Sequence, residues 1–367
     1  MSRILIVCTT DSMIWNFLIP HVKELEKNGH YIECACSQTG VFFNDLADKY
    51  QIKMNRVPFK RSPYSFKNIV AYKCVRKLIR EKAFDTIFCH EPVGGAIGRL
   101  AGHKERCRVV YMAHGFHFYK GAPKSRIIYY WIEKWLSRYT DTLITINNED
   151  YEISQTFNAK KCIKIDGVGI DTSKFIYDPN HDYLRKELKI DSNTIIFLSI
   201  GELIKRKNHK SFIKAIALCN DSRCIYVIAG DGEREKSLKK LVTKLQVENK
   251  VFFLGYRRDI NNLCNAADIF VIPSIHEGLS VALMEAMACG KPVIASKIRG
   301  NVDLIIPDKG GLLVNTFDVN GYKDAIKEIT NSPKNYATFN MHYIENYDVK
   351  YIVKKIGKIF EQSDFMK

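Results

Sequence analysis

Short, nearly all-apolar runs recur along the chain, separated by longer stretches in which apolar and polar positions alternate at helical spacing. Arg3–Cys8, Tyr31–Ala35, Thr86–Cys89, Val109–Ala113 and Thr142–Ile146 form a first series of such runs. Ile195–Ile200, Cys224–Ala229, Val251–Leu254, Ile269–Ile272 and Pro292–Ala295 form a second. Each reads as a strand buried on both faces. The intervening stretches read as helices, such as Met13–Lys27, which Asn28-Gly29 should end. Strands alternating with helices predict parallel sheets covered on both sides. The series breaks once, between Lys164 and Asn193, where Gly, Asp, Asn and Pro accumulate, and a linker is expected near residues 167–190. The pattern therefore predicts an α/β chain of two Rossmann-like domains, 1–170 and 190–346, facing across a cleft. Ligands in such sheets sit beyond the strand C-termini. A last amphipathic helix is expected over 347–364, packing back on the first domain.

Composition narrows the class. The 367 residues suffice for two well-buried cores. No apolar segment approaches the ~20 residues that span a bilayer, and the N-terminal run reads as a first strand, not a signal peptide. A cytoplasmic protein is the expectation. Eleven cysteines are scattered without a CxxC pair, which suits a reducing compartment and no common metal site. The net charge is +16, about +9 in residues 1–180 and +7 in the rest. Nucleic acid, an anionic membrane surface and a phosphorylated small molecule would each account for it. No helix-turn-helix, finger or aromatic RNA platform is present, so nucleic acid is not expected.

Two segments carry candidate chemistry. The first runs from His276 to Val293. It follows the strand at Ile269–Ile272 and opens a helix at about Ser280, so that Gly278, Leu279 and Ser280 bring backbone N–H groups and the positive end of a helix to one point. Glu277 precedes that helix and Glu285 lies within it. A solvated helix face is the plain reading for Glu285, but its neighbours Ala282, Leu283, Ala286 and Met287 are apolar. A carboxylate among apolar positions needs a buried partner or a ligand hydroxyl. The second segment, Ser199–His209, holds Gly201 and the cations Lys205, Arg206 and Lys207 between a strand and a helix. Three cations alone would read as a solvated loop; their placement favours a site that stabilises a leaving diphosphate.

Glu277 and Glu285, eight apart and followed by Ala288-Cys289-Gly290-Lys291-Pro292-Val293, resemble the corresponding element of family 4 retaining glycosyltransferases of the GT-B fold. The resemblance covers nearly the whole chain. It is best matched from Ser199 to Val314, including Ala229–Glu233, Leu254-Gly255 and Gly310–Val314. It implies that Glu277 holds the donor sugar hydroxyls, Glu285 the ribose and Lys207 the diphosphate. It also implies that the loop with Tyr256 and Arg257 cradles the nucleobase, and that His114, after the strand at Val109–Ala113, is the active-site histidine; His117 is a weaker candidate. Many members carry Arg where this chain has Glu202, and Arg206 is the residue placed to substitute. The implied reaction is a retaining transfer from a nucleotide-sugar, with no metal and no cofactor besides that donor.

In the first half, Lys73, Arg76, Lys77 and Arg80 share a helix face. Lys124 and Arg126 precede Trp131 and Trp135 in a stretch that mixes cations with large aromatics. Such mixtures suit a membrane interface, against the plain reading of two ordinary surface helices. The string from His114 to Tyr151 resembles enzymes of capsule and exopolysaccharide synthesis. It implies a polyprenyl-diphosphate-linked saccharide acceptor, a UDP-sugar donor and peripheral attachment at the inner face of the plasma membrane. An inactive accessory subunit and a sugar-nucleotide epimerase are the alternatives. The presence of Glu277, Lys207 and His114 argues against the first, and the basic loop against the second.

Overall fold

The structure, a computed structural model, describes residues 1–40, 42–178, 182–331 and 336–361. Residues 179–181 of the expected linker, 332–335 of the expected second domain and 362–364 of the expected last helix lie outside the described residues, as does Val41. The chain divides into two compact units, Met1–Gly169 with Val349–Lys367, and Ile170–Asp348.

The first unit is a seven-stranded sheet in the order β3-β2-β1-β4-β5-β6-β7. Its strands are β1 (Arg3–Thr10), β2 (Tyr31–Ser37), β3 (Met54–Arg56), β4 (Thr86–His90), β5 (Arg108–Met112), β6 (Thr142–Thr145) and β7 (Lys161–Lys164). Every pairing is parallel. The central strands are buried along nearly their whole length, as their unbroken apolar runs require. β3 and β7 lie at the edges and are only partly buried. The expected helix at Met13–Lys27 is divided: a π-helical turn, Ile14–Leu18, precedes the α-helix Ile19–Lys27, in which Pro20 stands in the first turn. Pro has no N–H to give, which favours a break at that point.

The last helix, Val349–Glu361, belongs to this unit. Its Phe360 ring lies 5.1 Å from Phe88, Ile359 O accepts from Arg108 at 2.6 Å, and Lys355 pairs with Asp166 at 2.7 Å. The aromatic helix Ile127–Leu136 is fastened to the helix Pro92–Lys104 by a bidentate pair. Arg99, fully buried, donates to both oxygens of Glu133 at 2.8 and 3.2 Å and lies 3.9 Å over the ring of Tyr111.

The second unit is a six-stranded parallel sheet ordered β10-β9-β8-β11-β12-β13. Its strands are β8 (Ile195–Ile200), β9 (Cys224–Ala229), β10 (Val251–Gly255), β11 (Ile269–Ile272), β12 (Val293–Ser296) and β13 (Gly311–Val314). Phe197, Phe212, Tyr226, Val271, Ile294 and Tyr322 meet in its core. The expected linker is shorter than its composition suggested. From Ile170 the chain is part of this unit, and Tyr183–Leu188 forms a helix whose Arg185 binds Asp268 at 2.7 Å.

Both sheets reverse strand order once, between β1 and β4 and between β8 and β11. In open parallel sheets the loops leaving the carboxyl ends at such a point are where ligands bind. In the second unit these are the loops after Ile200 and Ile272, the two segments singled out by their chemistry.

Candidate active site

Gly201 leaves β8 at φ 146°, and the side chain of Lys207 passes over it: a Cβ there would meet Lys207 Cε at 3.1 Å. The cations Lys205, Arg206 and Lys207 form a single 3₁₀ turn. It ends at Asn208, whose left-handed backbone starts the helix His209–Ala217. Asn208 Nδ2 donates to Pro273 O at 3.0 Å, and Ile275 N donates to Arg206 O at 2.7 Å. These two bonds lay the basic turn against the loop after β11.

Glu277 lies between them, 7% exposed. Lys207 Nζ donates to its Oε1 at 2.8 Å and Arg206 Nη1 to its Oε2 at 2.6 Å, while Ser274 Oγ also donates to Oε1, at 2.7 Å. Burial by itself pushes the carboxyl up. Lys207 and Arg206 outweigh it and bring the group down to about 2. Its backbone is fixed as well: Arg299 Nε donates to Glu277 O at 3.0 Å. Gly300 is packed so closely under the loop that a Cβ would lie 2.3 Å from Gly278 O.

Gly278, Leu279 and Ser280 then lead into the helix Val281–Ala288, with Ser280 as its N-cap. The first N–H groups of a helix have no partner within it and carry positive partial charge. The buried carboxylate neutralises one of its two cations, which leaves the arrangement suited to a diphosphate group.

Glu285 follows in the second turn of this helix. Among the described residues its carboxyl makes no hydrogen bond or ion pair, and burial pushes it from the usual 4.5 up to about 7. A mostly enclosed carboxylate without a partner is the mark of a group that awaits one.

Other expected residues stand outside this cluster of contacts. Arg257 is committed within its own unit, to Asp259 at 2.7 Å and Glu187 at 2.7 Å, with Tyr183 beside it. Two carboxylates already satisfy its guanidinium. Tyr256 and Glu202 are exposed.

His114 in the first unit stands in a group of buried histidines. Its Nε2 lies 3.1 Å from His90 Nδ1, and His21 Nε2 lies 3.0 Å from Val168 O. Burial, with His21 adding to it, pushes His114 down to about 3. These rings are neutral at physiological pH and act as hydrogen-bonding groups. His117 is exposed and packs edge-on against Tyr129.

The basic face at Lys73, Arg76, Lys77 and Arg80 is partly cancelled: Arg76 and Arg80 lie 2.6 and 3.7 Å from Glu105, and Lys77 lies 3.6 Å from Glu81. Trp131 and Trp135 remain 60% and 45% exposed. Lys124 is exposed beside them, and Arg126 donates to His117 O at 3.1 Å.

Glu91 was missed in the sequence. It ends β4 with φ 61° and ψ 161°, an unusual backbone for a residue with a side chain. Its carboxylate receives the amides of Thr9 at 2.7 Å and Thr10 at 3.3 Å from the end of β1. The signal was hidden because its partners lie some eighty residues away.

The family model described as glycosyl transferases group 1 matches residues 180–359, and that described as glycosyl transferase 4-like matches 3–147. The EpsD protein of Bacillus subtilis (strain 168) is 34% identical over 344 residues, covering 91% of this chain and 88% of that one. The UDP-Gal:alpha-D-GlcNAc-diphosphoundecaprenol alpha-1,3-galactosyltransferase of Escherichia coli is 30% identical over 310 residues, covering 82% and 80%. The crystal structure of Anabaena Alr3699/HepE with UDP-glucose superposes with a TM-score of 0.81 at 21% identity, over 98% of this chain and all of that one.

The raised Glu285 carboxyl has a measurable consequence. Between about pH 4.5 and 7 it is protonated in the folded chain and ionised in the unfolded one, so stability falls as pH rises through that window and is level above it. Glu285→Gln cannot titrate. It is expected to melt about 5 °C above wild type at pH 8, with the gap closing towards pH 4.5; a gap independent of pH in thermal melts would show that the carboxyl is not enclosed. From its two parallel-sheet units, its cation-clamped glutamate and these matches, the chain belongs to the GT4-type glycosyltransferases of the GT-B fold.

Proposed function

We propose that the chain transfers a sugar from a UDP-sugar to a lipid-linked saccharide, with retention of anomeric configuration, in the synthesis of a bacterial surface polysaccharide. The observation that carries this is Glu277, buried and ionised between Lys207 and Arg206 at the start of the Val281–Ala288 helix. Glu277 receives the hydroxyls of the donor sugar. Lys207, Arg206 and the helix N-terminus take the diphosphate, and Glu285 takes the ribose hydroxyls. The diphosphoundecaprenol-linked acceptor named for the Escherichia coli relative supports the acceptor class, and its UDP-Gal the donor base.

In the proposed reaction the acceptor oxygen approaches the anomeric carbon on the face from which the diphosphate leaves. The bond from that carbon to phosphate oxygen breaks as the bond to the acceptor oxygen forms, and the acceptor proton passes to the departing phosphate oxygen. Charge grows on that oxygen, so preorganised cations lower the barrier directly. Arg206 supplies the contact that Glu202 cannot make. His114, neutral, serves as a hydrogen-bonding group and not as a cation.

The proposed site of action is a membrane surface. No helix among the described residues is long and apolar enough to cross a membrane, but Ile127, Trp131 and Trp135 are exposed on a helix that follows Lys124 and Arg126. Apolar and aromatic side chains beside cations suit an anionic interface.

Two measurements test this reading. In a panel of UDP-, GDP- and ADP-sugars, one UDP-sugar is expected to raise the melting temperature and to be transferred with the product anomer matching the donor by NMR. Lys207→Ala and Glu277→Ala are expected to lower turnover by about 10²–10³. Stabilisation by a GDP- or ADP-sugar alone, or an inverted product, would overturn the donor or the stereochemistry. For the membrane, Trp131→Ser with Trp135→Ser is expected to weaken binding to phosphatidylglycerol vesicles about tenfold or more in sedimentation; wild-type protein that ignores such vesicles would overturn it.

A further inference from the structure

The first unit holds a cavity of about 460 Å³ at its own switch point, in the range of pockets that enclose small ligands. Its walls are Val93 and Ile97 from the Pro92–Lys104 helix, Phe116 and Phe118 after β5, and Ile128, Ile132 and Leu136 from the aromatic helix. Polar side chains reach it, and several of them are already held. Glu91 is held by the Thr9 and Thr10 amides. Glu133 is held by Arg99. Asn68 accepts from Lys60 N at 2.9 Å and donates to Ser62 O at 2.9 Å. Arg61 is different: it is exposed, and its side chain makes no hydrogen bond or ion pair among the described residues.

A sugar in such a pocket would leave most of its hydroxyls unmatched. An apolar chain has no hydroxyls to leave unmatched there and gains with each methylene it buries. The mouth of the cavity continues the same chemistry. Ile128 and Ile132 line it and are also exposed, on the face that carries Ile127, Trp131 and Trp135. Tyr64, exposed, also lines it, and the exposed Phe66, Ile69 and Val70 follow within six residues of it in sequence. Two exposed apolar segments thus flank one apolar pocket, with a cation at its rim.

We propose that this pocket binds the first isoprene units of the acceptor's polyprenyl chain, with Arg61 on the adjoining phosphate. The inference rests on the lipid-linked acceptor of the proposed function and adds that the lipid itself is recognised, not only the sugar it carries.

The test uses binding without any donor, so that it fails or succeeds apart from the transferase reading. Farnesyl diphosphate and methyl diphosphate are titrated against the full chain by calorimetry; the two differ only in the chain. Wild type is expected to bind the farnesyl compound at least about tenfold more tightly, a factor that corresponds to ~1.4 kcal/mol. Ala96→Phe, which fills the pocket from the Pro92–Lys104 helix, is expected to abolish that preference. Ile132→Asp, at the exposed mouth, is expected to reduce it and is the second variant should the first fail to fold by circular dichroism. Arg61→Ala is expected to weaken both ligands about equally. Equal affinity for the two compounds in wild type, or a farnesyl preference that survives both pocket variants, overturns the proposal. A farnesyl preference in a chain that transfers no sugar would uphold the pocket and overturn the transferase reading.

Discussion

The second unit is organised around one buried carboxylate. Glu277 is enclosed where an isolated carboxyl would stay protonated, and it is ionised only because Lys207 and Arg206 close on its two oxygens. Breaking such an arrangement from one side leaves an uncompensated buried charge. The constraint therefore reaches outward. Asn208 must be left-handed to end the cationic turn, Gly201 must lie bare beneath Lys207, and Gly300 must let the Glu277–Gly278 backbone come close. The same clamp pre-positions two cations before any ligand arrives, so they need little reorganisation as charge develops on a leaving group.

The first unit has the same strand plan and the opposite chemistry. At its switch point the carboxylate of Glu91 is bound by backbone amides and not by cations, the nearby histidines are buried and neutral, and the adjoining cavity is apolar. The positive charge of the two halves of the sequence is nearly equal, so bulk charge does not distinguish them. What does is where the cations are spent: Arg99 is consumed internally by Glu133, and Arg76 and Arg80 by Glu105, while Arg206 and Lys207 converge on Glu277 in the loop after β11.

Much of this was legible in the sequence. Strands buried on both faces, such as β1, β4, β8 and β9, announce themselves as unbroken apolar runs, and their alternation with helices carries the fold class. The edge strands β3, β7 and β13 were not read, because a short strand with one solvated side has no such signature. The helix Tyr183–Leu188 was hidden because it is short and follows a stretch rich in Asn, Asp and Pro; it is held by the burial of Leu184 and by Arg185 on Asp268. At the candidate site, Lys207 and Glu277 stand out by their placement between strand and helix and Glu285 by its apolar neighbours, while the roles expected of them come from the family resemblance. The direct pairing of Arg206 with Glu277, the diversion of Arg257 to Asp259 and Glu187, and the role of Glu91 depend on residues distant in sequence and emerge only from the folded chain.

The central claim is that Glu277 and its cations act as one unit toward the donor. A double-mutant cycle on UDP-sugar affinity, with Lys207→Met, Glu277→Gln and the pair, measured by calorimetry, tests it most directly. The account predicts strong non-additivity, a coupling of about 1.5 kcal/mol or more, because each single substitution unbalances the charge of a cluster that the two residues share. Effects that add to within about 0.5 kcal/mol would contradict it, and would mean that the two residues meet the donor independently.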